Sequence, residues 1–245
     1  MLRSLRRKAA SVIVATGAVL LAVVPDATGF FAITWAIPPL LFVSAWLLQA
    51  RALGAQALAR GVLWSSLVLG VVFVATASGT ADLQASVITS TTAGLALLLL
   101  GREALVPGGR SAQFAPLAFR TTLSLALVLA VGDLLSLAYF SGVYAEIVAV
   151  AQHRVAVADA LVVFGCTLAT VAAIVGLFRL RFWGLVGNAG VNAVVAALAA
   201  TGALPLPFAV RAALIMTAAA QLVLVTPIAW RLVLALSRAN AAYAS

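Results

Sequence analysis

The chain has 245 residues, of which 65% are hydrophobic and 9% charged, far from the roughly 25% charged and 45–50% apolar make-up of a water-soluble domain. A soluble fold is excluded. Disorder, a coiled coil and a disulfide scaffold are excluded too, because the apolar runs are long and unpatterned and Cys166 is the only cysteine.

A bilayer core of about 30 Å takes ~20 helical residues to cross, so eight crossings use about 160 residues and leave no room for a separate soluble domain. Apolar runs bounded by charge, Gly or Pro place spans at 9–25, 30–50, 61–78, 85–101, 121–141, 156–178, 184–204 and 207–230. The expected fold class is all-α, a polytopic transmembrane helical bundle of about eight spans in a single integral membrane domain. The longest connection, 102–120, carries Pro107-Gly108-Gly109 and Pro116 and separates candidate halves 1–101 and 121–245. With four spans in each half, a duplication would give parallel repeats.

Lys and Arg collect on the cytoplasmic ends of membrane helices. With these spans, Arg3, Arg6, Arg7, Lys8, Arg51, Arg60, Arg102, Arg110, Arg120, Arg179, Arg181, Arg231 and Arg238 all fall on one side, and only Arg154 and Arg211 on the other. The asymmetry predicts that both termini are cytoplasmic, since one span more or fewer would invert every later loop. The net charge of +9 is divided among short loops with no aromatic stacking platform, which argues against a nucleic-acid partner. Anionic lipid headgroups at the cytoplasmic face are the expected counterions. The basic start followed by Ser11 to Val24 has the shape of a secretory signal, but Val24-Pro25-Asp26-Ala27 fits the small-x-small cleavage pattern poorly, so a retained anchor is expected. Lys8 is the only lysine, and the preference for Arg, with abundant Ala, Gly and Val, points to a GC-rich bacterial source and a bacterial cytoplasmic membrane.

Along the chain, Pro38-Pro39 removes two N–H donors near the centre of span two, and a packing kink is expected there. The run Thr89-Ser90-Thr91-Thr92 of span four can return hydroxyl hydrogen bonds to its own backbone. Asp133 lies near the middle of span five, where an ionised carboxylate costs several kcal/mol unless it is paired or protonated. It is either a proton, cation or substrate site, or a protonated acid bonded to a neighbouring helix. Residues 142–154 read as an extension of span five or as an interfacial helix, with Val143, Ile147 and Val150 opposite Glu146 and His153. In span seven, Asn188 and Asn192 share one face beside Gly184, Gly187 and Gly190, the pattern of a close helix contact with amide cross-links. Gln221 sits mid-way along span eight. If the helices converge, Asp133, Asn188, Asn192 and Gln221, with the hydroxyls of span four, could line a narrow polar pathway. Trp35, Trp46, Trp64, Trp183, Trp230 and Tyr139 lie mostly near span ends, as interfacial anchors do. Asp26 and Asp82 read as solvated outer-loop residues, and Asp159 as a first-turn acid of span six.

Catalytic chemistry has little to build on. His153 is the only histidine and falls on the outer surface, and Cys166 has no base beside it, so neither a metal site nor a Cys/His nucleophile is expected. Ser78-Gly79 and Ser141-Gly142 match the serine motif of intramembrane proteases only as dipeptides, with no histidine on a later span. No enzyme activity and no cofactor are expected. The first functional expectation is a non-enzymatic membrane subunit or scaffold that packs against another membrane protein or a second copy of itself. The alternative is a small permease or proton-coupled carrier that uses the mid-membrane polar set.

Overall fold

The computed structural model describes residues 2–23, 31–50, 52–76, 79–104, 117–151, 154–179 and 182–244. Asp26, Arg51, Ser78, Pro107-Gly108-Gly109, Arg110, Pro116, His153 and Arg181 therefore lie outside the described residues. All regular structure among the described residues is helical: α1 Leu2–Val23, α2 Phe31–Leu47, α3 Leu53–Thr76, α4 Thr80–Leu100, a single 3₁₀ turn Gly101–Ala104, α5 Leu117–Ala151, α6 Arg154–Phe178, α7 Phe182–Thr201 and α8 Phe208–Ala244. Helices are the natural outcome for such apolar runs, because a backbone in lipid must satisfy its own N–H and C=O groups. Six of them, α3 to α8, contain a stretch long and apolar enough to cross a bilayer. In α1 the first turns carry Arg6, Arg7 and Lys8, and α2 has 17 residues, with Pro38 and Pro39 inside a continuous helix. The chain is a multi-pass helical membrane protein.

Helix ends are set by local chemistry. Gly101 closes α4 at φ +54, its N–H bonded back to the carbonyls of Leu97 and Leu98, and Gly202 closes α7 at φ +76, both in the left-handed region that favours glycine. Residues 142–151 continue α5 without a break, which makes the helix about 52 Å long. The segment after span five is thus an extension of that helix.

The first four helices close a ring in which α1 and α3 each pack on α2 and α4, and the last four close another in which α5 and α7 each pack on α6 and α8. The two rings meet where α5 lies against α2 and α3, with a smaller contact between α3 and α6. Lipid is as apolar as a leucine side chain, so packing here depends on close fit and not on escape from water. Small residues supply that fit: Ala57, Ala59, Ala85, Ala93 and Ala126 are fully buried. A side chain at Gly54 would collide with the Phe178 carbonyl, and Gly176 and Gly184 meet backbone to backbone between α6 and α7. The expected glycine surface of α7 is narrower than its sequence implied. Gly184 makes the close approach, whereas Gly187 and Gly190 face open space.

The basic ends gather on one face. Gln49, after α2, donates to the Arg7 carbonyl at 3.2 Å, and Arg7 pairs with Glu103, after α4, at 2.7 Å. Gly54, at the start of α3, sits against Phe178 at the end of α6. Several residues depart from expectation here. Arg60 is not a loop residue, because α3 starts at Leu53 and carries it inward to complete burial. Its Nε donates to the Glu103 carbonyl and its Nη1 to the Gln56 carbonyl at 2.7 Å. Trp64 is partly buried and donates to the Ala104 carbonyl at 3.2 Å, so it braces the 3₁₀ turn, whereas Trp46, Trp183 and Trp230 are exposed as anchors should be. Asp82 is a buried first-turn acid of α4 and not a solvated loop residue. Asp159 lies beyond the first turn of α6, which begins at Arg154.

These contacts predict two sets of surface positions. In a chain whose Cys166 has been replaced, single cysteines at Ser4, Gln49 and Arg179 should react with an impermeant maleimide from the same side of the membrane, and cysteines at Thr80 and Ala203 from the opposite side. Mixed labelling within either set would contradict the arrangement.

Candidate functional site

Asp133 stands near the midpoint of the apolar stretch Leu117–Ala145 of α5 and is 8% exposed. Facing it, α8 carries Thr217 and Gln221, four residues apart and so stacked on one face of the helix. Thr217 Oγ1 lies 2.8 Å from Asp133 Oδ1, and Gln221 Nε2 donates to Oδ2 at 2.9 Å. Each carboxyl oxygen therefore has its own partner. Behind Gln221, α7 contributes Asn192, whose Nδ2 donates to Gln221 Oε1 at 3.2 Å and to the Asn188 carbonyl at 2.7 Å. An amide nitrogen has two protons, so both bonds can form at once.

The structure thus brings three of the four expected side chains, Asp133, Gln221 and Asn192, into one hydrogen-bonded chain across α5, α8 and α7. Asn188 joins through its backbone carbonyl only. Its side chain is buried, and its Nδ2 meets no acceptor among the described residues. Thr217 is the member that sequence reading missed. The available signal was its spacing from Gln221, which puts a hydroxyl on the same face one turn away.

A cleft of about 310 Å³ opens beside Asp133, walled by α3, α5 and α8. It lies at the seam between the two rings. Its polar lining is Asp133, Ser65, Ser136 and Thr217. Ser65 Oγ donates to the Val128 carbonyl at 2.9 Å, and Ser136 Oγ to the Gly132 carbonyl at 2.9 Å. Ser136 follows Asp133 by three residues on the same helix face, a spacing visible in the sequence, whereas nothing in the sequence ties Ser65 to this site.

The hydroxyls of α4 take no part in this chain of bonds. Thr89 and Ser90 bond back to the carbonyls of Ala85 at 2.7 Å and Ser86 at 2.8 Å, while Thr92 packs against Gly17 of α1 and Ser90 against Gly70 of α3. They serve packing within the first ring. Ser141 is likewise a helix contact, its Oγ 2.9 Å from Thr167 Oγ1 of α6. Among the described residues no three His, Cys, Asp or Glu side chains gather where they could hold a metal ion.

Comparison with protein-family models, with curated proteins and with solved structures gives no match. The class that fold and site define is a multi-pass helical membrane protein with a hydrogen-bonded carboxyl group buried at mid-depth.

The two asparagines should respond differently to replacement by leucine. Asn192→Leu leaves Gln221 Oε1 without its donor and should lower stability by about 1 kcal/mol, read as a lower thermal midpoint in detergent. Asn188→Leu removes a donor that has no acceptor and should leave the midpoint unchanged or raised. A loss at Asn188 equal to that at Asn192 would contradict the bonding pattern.

Proposed function

We propose that the protein is a small non-enzymatic carrier in a bacterial cytoplasmic membrane, with both termini in the cytoplasm, and that Asp133 takes up and releases a proton as solute passes. The observation that supports this reading is the position of the Thr217 hydroxyl, 2.8 Å from Asp133 Oδ1 and 3.0 Å from the Ala213 carbonyl on its own helix. With Asp133 ionised, Thr217 donates to the carboxylate. With Asp133 protonated, the carboxyl donates to Thr217 Oγ1, and the threonine proton turns to Ala213. Either state leaves the buried groups satisfied after rotation of one hydroxyl, and an unmade bond at this depth would be costly. A contact that served packing alone would need only one of the two states.

The adjoining cleft supports the same reading, since carriers bind their solutes near the bilayer midplane between helix groups. The cytoplasmic assignment of the basic face follows from the tendency of Arg and Lys to remain on that side. Anionic headgroups there would meet Arg6, Arg7 and Lys8. The non-enzymatic part of the proposal is supported by composition, with one histidine and one cysteine in the whole chain.

A second reading, a subunit or scaffold bound to another membrane protein or to a second copy of this chain, is favoured by one observation. A groove between α6 and α7 is lined by Gly165 and Gly190, both facing open space, and small residues of this kind admit a partner helix.

Reconstitution into vesicles that enclose a pH-sensitive dye separates the readings. A panel of cationic, anionic, zwitterionic and neutral small solutes should include a class whose addition changes the luminal pH. Asp133→Asn should remain monodisperse, because the amide keeps the shape of the acid, and should lose that response. No response to any class, together with a stoichiometric partner in mild detergent, would favour the subunit instead. A normal response in well-folded Asp133→Asn would remove Asp133 from the mechanism.

A further inference from the structure

We infer that the cleft beside Asp133 binds a small lipophilic amine, a primary or secondary ammonium group on an apolar body, and admits it from the bilayer. This rests on the reading of Asp133 as a group that exchanges its proton. The hydrogen-bonding groups of the cleft are all of one sign. The proton of Ser65 is committed to the Val128 carbonyl and that of Ser136 to the Gly132 carbonyl, and Thr217 gives its own to Asp133 or to its own helix. Toward the cleft these hydroxyls offer lone pairs only. With Asp133 ionised, every polar group on the wall is an acceptor. Such a wall matches a cation with two or three N–H donors and rejects an anion or a solute that only accepts.

The rest of the lining is aliphatic, including Val68, Leu69, Val128 and Leu214, so a sugar or an amino acid would leave its further polar groups unpaired there. At about 310 Å³ the space is at the small end of ligand pockets, enough for one aryl or short alkyl body. Val68, on the α3 wall, is 56% exposed, so the cleft opens on the outer surface of the bundle, which in a membrane-embedded helix bundle is lipid. Charged groups on the wall helices stand apart from the acid: Arg60, on α3, is turned to the Glu103 and Gln56 carbonyls, Arg211, on α8, lies beside Gly202 at the far end of the bundle, Arg120 and Glu146 lie about 20 Å from Asp133 along α5, and Arg231 and Arg238 lie about 15 Å or more beyond Gln221 along α8.

The proton balance closes without another reactant. A neutral amine partitions into lipid and reaches protonated Asp133. The carboxyl O–H bond breaks, the N–H bond forms, and an ammonium–carboxylate pair remains, with Gln221 still donating to Oδ2. Loss of the ammonium to water and return of a proton to Asp133 reset the site.

The test is equilibrium binding of radiolabelled 2-phenylethylamine to the full chain in lipid nanodiscs, with empty nanodiscs subtracted. Saturable binding at one site per chain is expected. Trimethyl(2-phenylethyl)ammonium keeps the charge and the body but has no N–H, and should bind about tenfold more weakly or worse. Phenylacetate should not bind. Asp133→Asn should weaken amine binding by about tenfold or more. Should that variant fail to fold, Gly132→Leu decides the matter. A Cβ at Gly132 would lie 3.9 Å from Ser65 Oγ, so the larger side chain fits into the cleft, leaves the bonds of Asp133 in place and should abolish binding in a folded protein. No saturable binding, equal affinity for the quaternary ion, or unchanged affinity in Gly132→Leu would each overturn the inference. Amine binding without any luminal pH response would sustain it while removing the carrier reading. A pH response to another solute without amine binding would do the reverse.

Discussion

The structure depends on how a carboxyl group is kept satisfied where water is scarce. A buried acid that lost its partners at mid-depth would be costly enough to move helices. Thr217 and Gln221 of α8 answer that requirement at Asp133 and so fix the register between α5 and α8 to within one helical turn. Asn192 then ties α7 to the same point. Three helices of the second ring are located relative to one another by side chains whose bonds have direction. Apolar packing against lipid has no such directionality, since neighbouring leucines can exchange for acyl chains at little cost.

A second polar device works at the basic face by a different principle. There the buried guanidinium of Arg60 bonds backbone carbonyls of α3 and of the 3₁₀ turn after α4, and the Glu103 side chain of that turn reaches Arg7 of α1. One short connection is thereby pinned to two helices. Those two carbonyl bonds hold the buried guanidinium about two turns from the start of α3. The mid-depth site and the surface clasp fall in different rings, and the cleft beside Asp133 lies where those rings meet.

Much of this was legible in the sequence because membranes impose harsh and simple rules. Apolar length marked a helix at each of the eight runs, of which six, α3 to α8, are long and apolar enough to cross a bilayer. The polar residues that matter at mid-depth stood out because so few polar groups occur there: Asp133, Asn192 and Gln221 were each visible as exceptions in an apolar run, and the structure joins them. Helix ends were less legible. Charge was taken to mark where a span begins, yet Arg60 and Asp82 are carried inside helices, Arg60 because its long side chain reaches the Gln56 and Glu103 carbonyls and Asp82 because the first turn of α4 favours an acid. Which hydroxyls join the site was also hidden. Thr89 to Thr92 and Ser65 are alike in composition, and only the way α3 and α4 are rotated separates a packing hydroxyl from one that lines the cleft.

The central claim is that Asp133 and Gln221 are bonded to each other across α5 and α8. A double-mutant cycle on thermal unfolding in detergent measures this directly, using Asp133→Leu, Gln221→Leu and the pair together. The account predicts a coupling energy of about 0.6 kcal/mol, the average for hydrogen bonds between membrane helices, and up to about 1.7 kcal/mol, with the double variant less destabilised than the sum of the single ones. Strictly additive effects, with each variant folded, would contradict it.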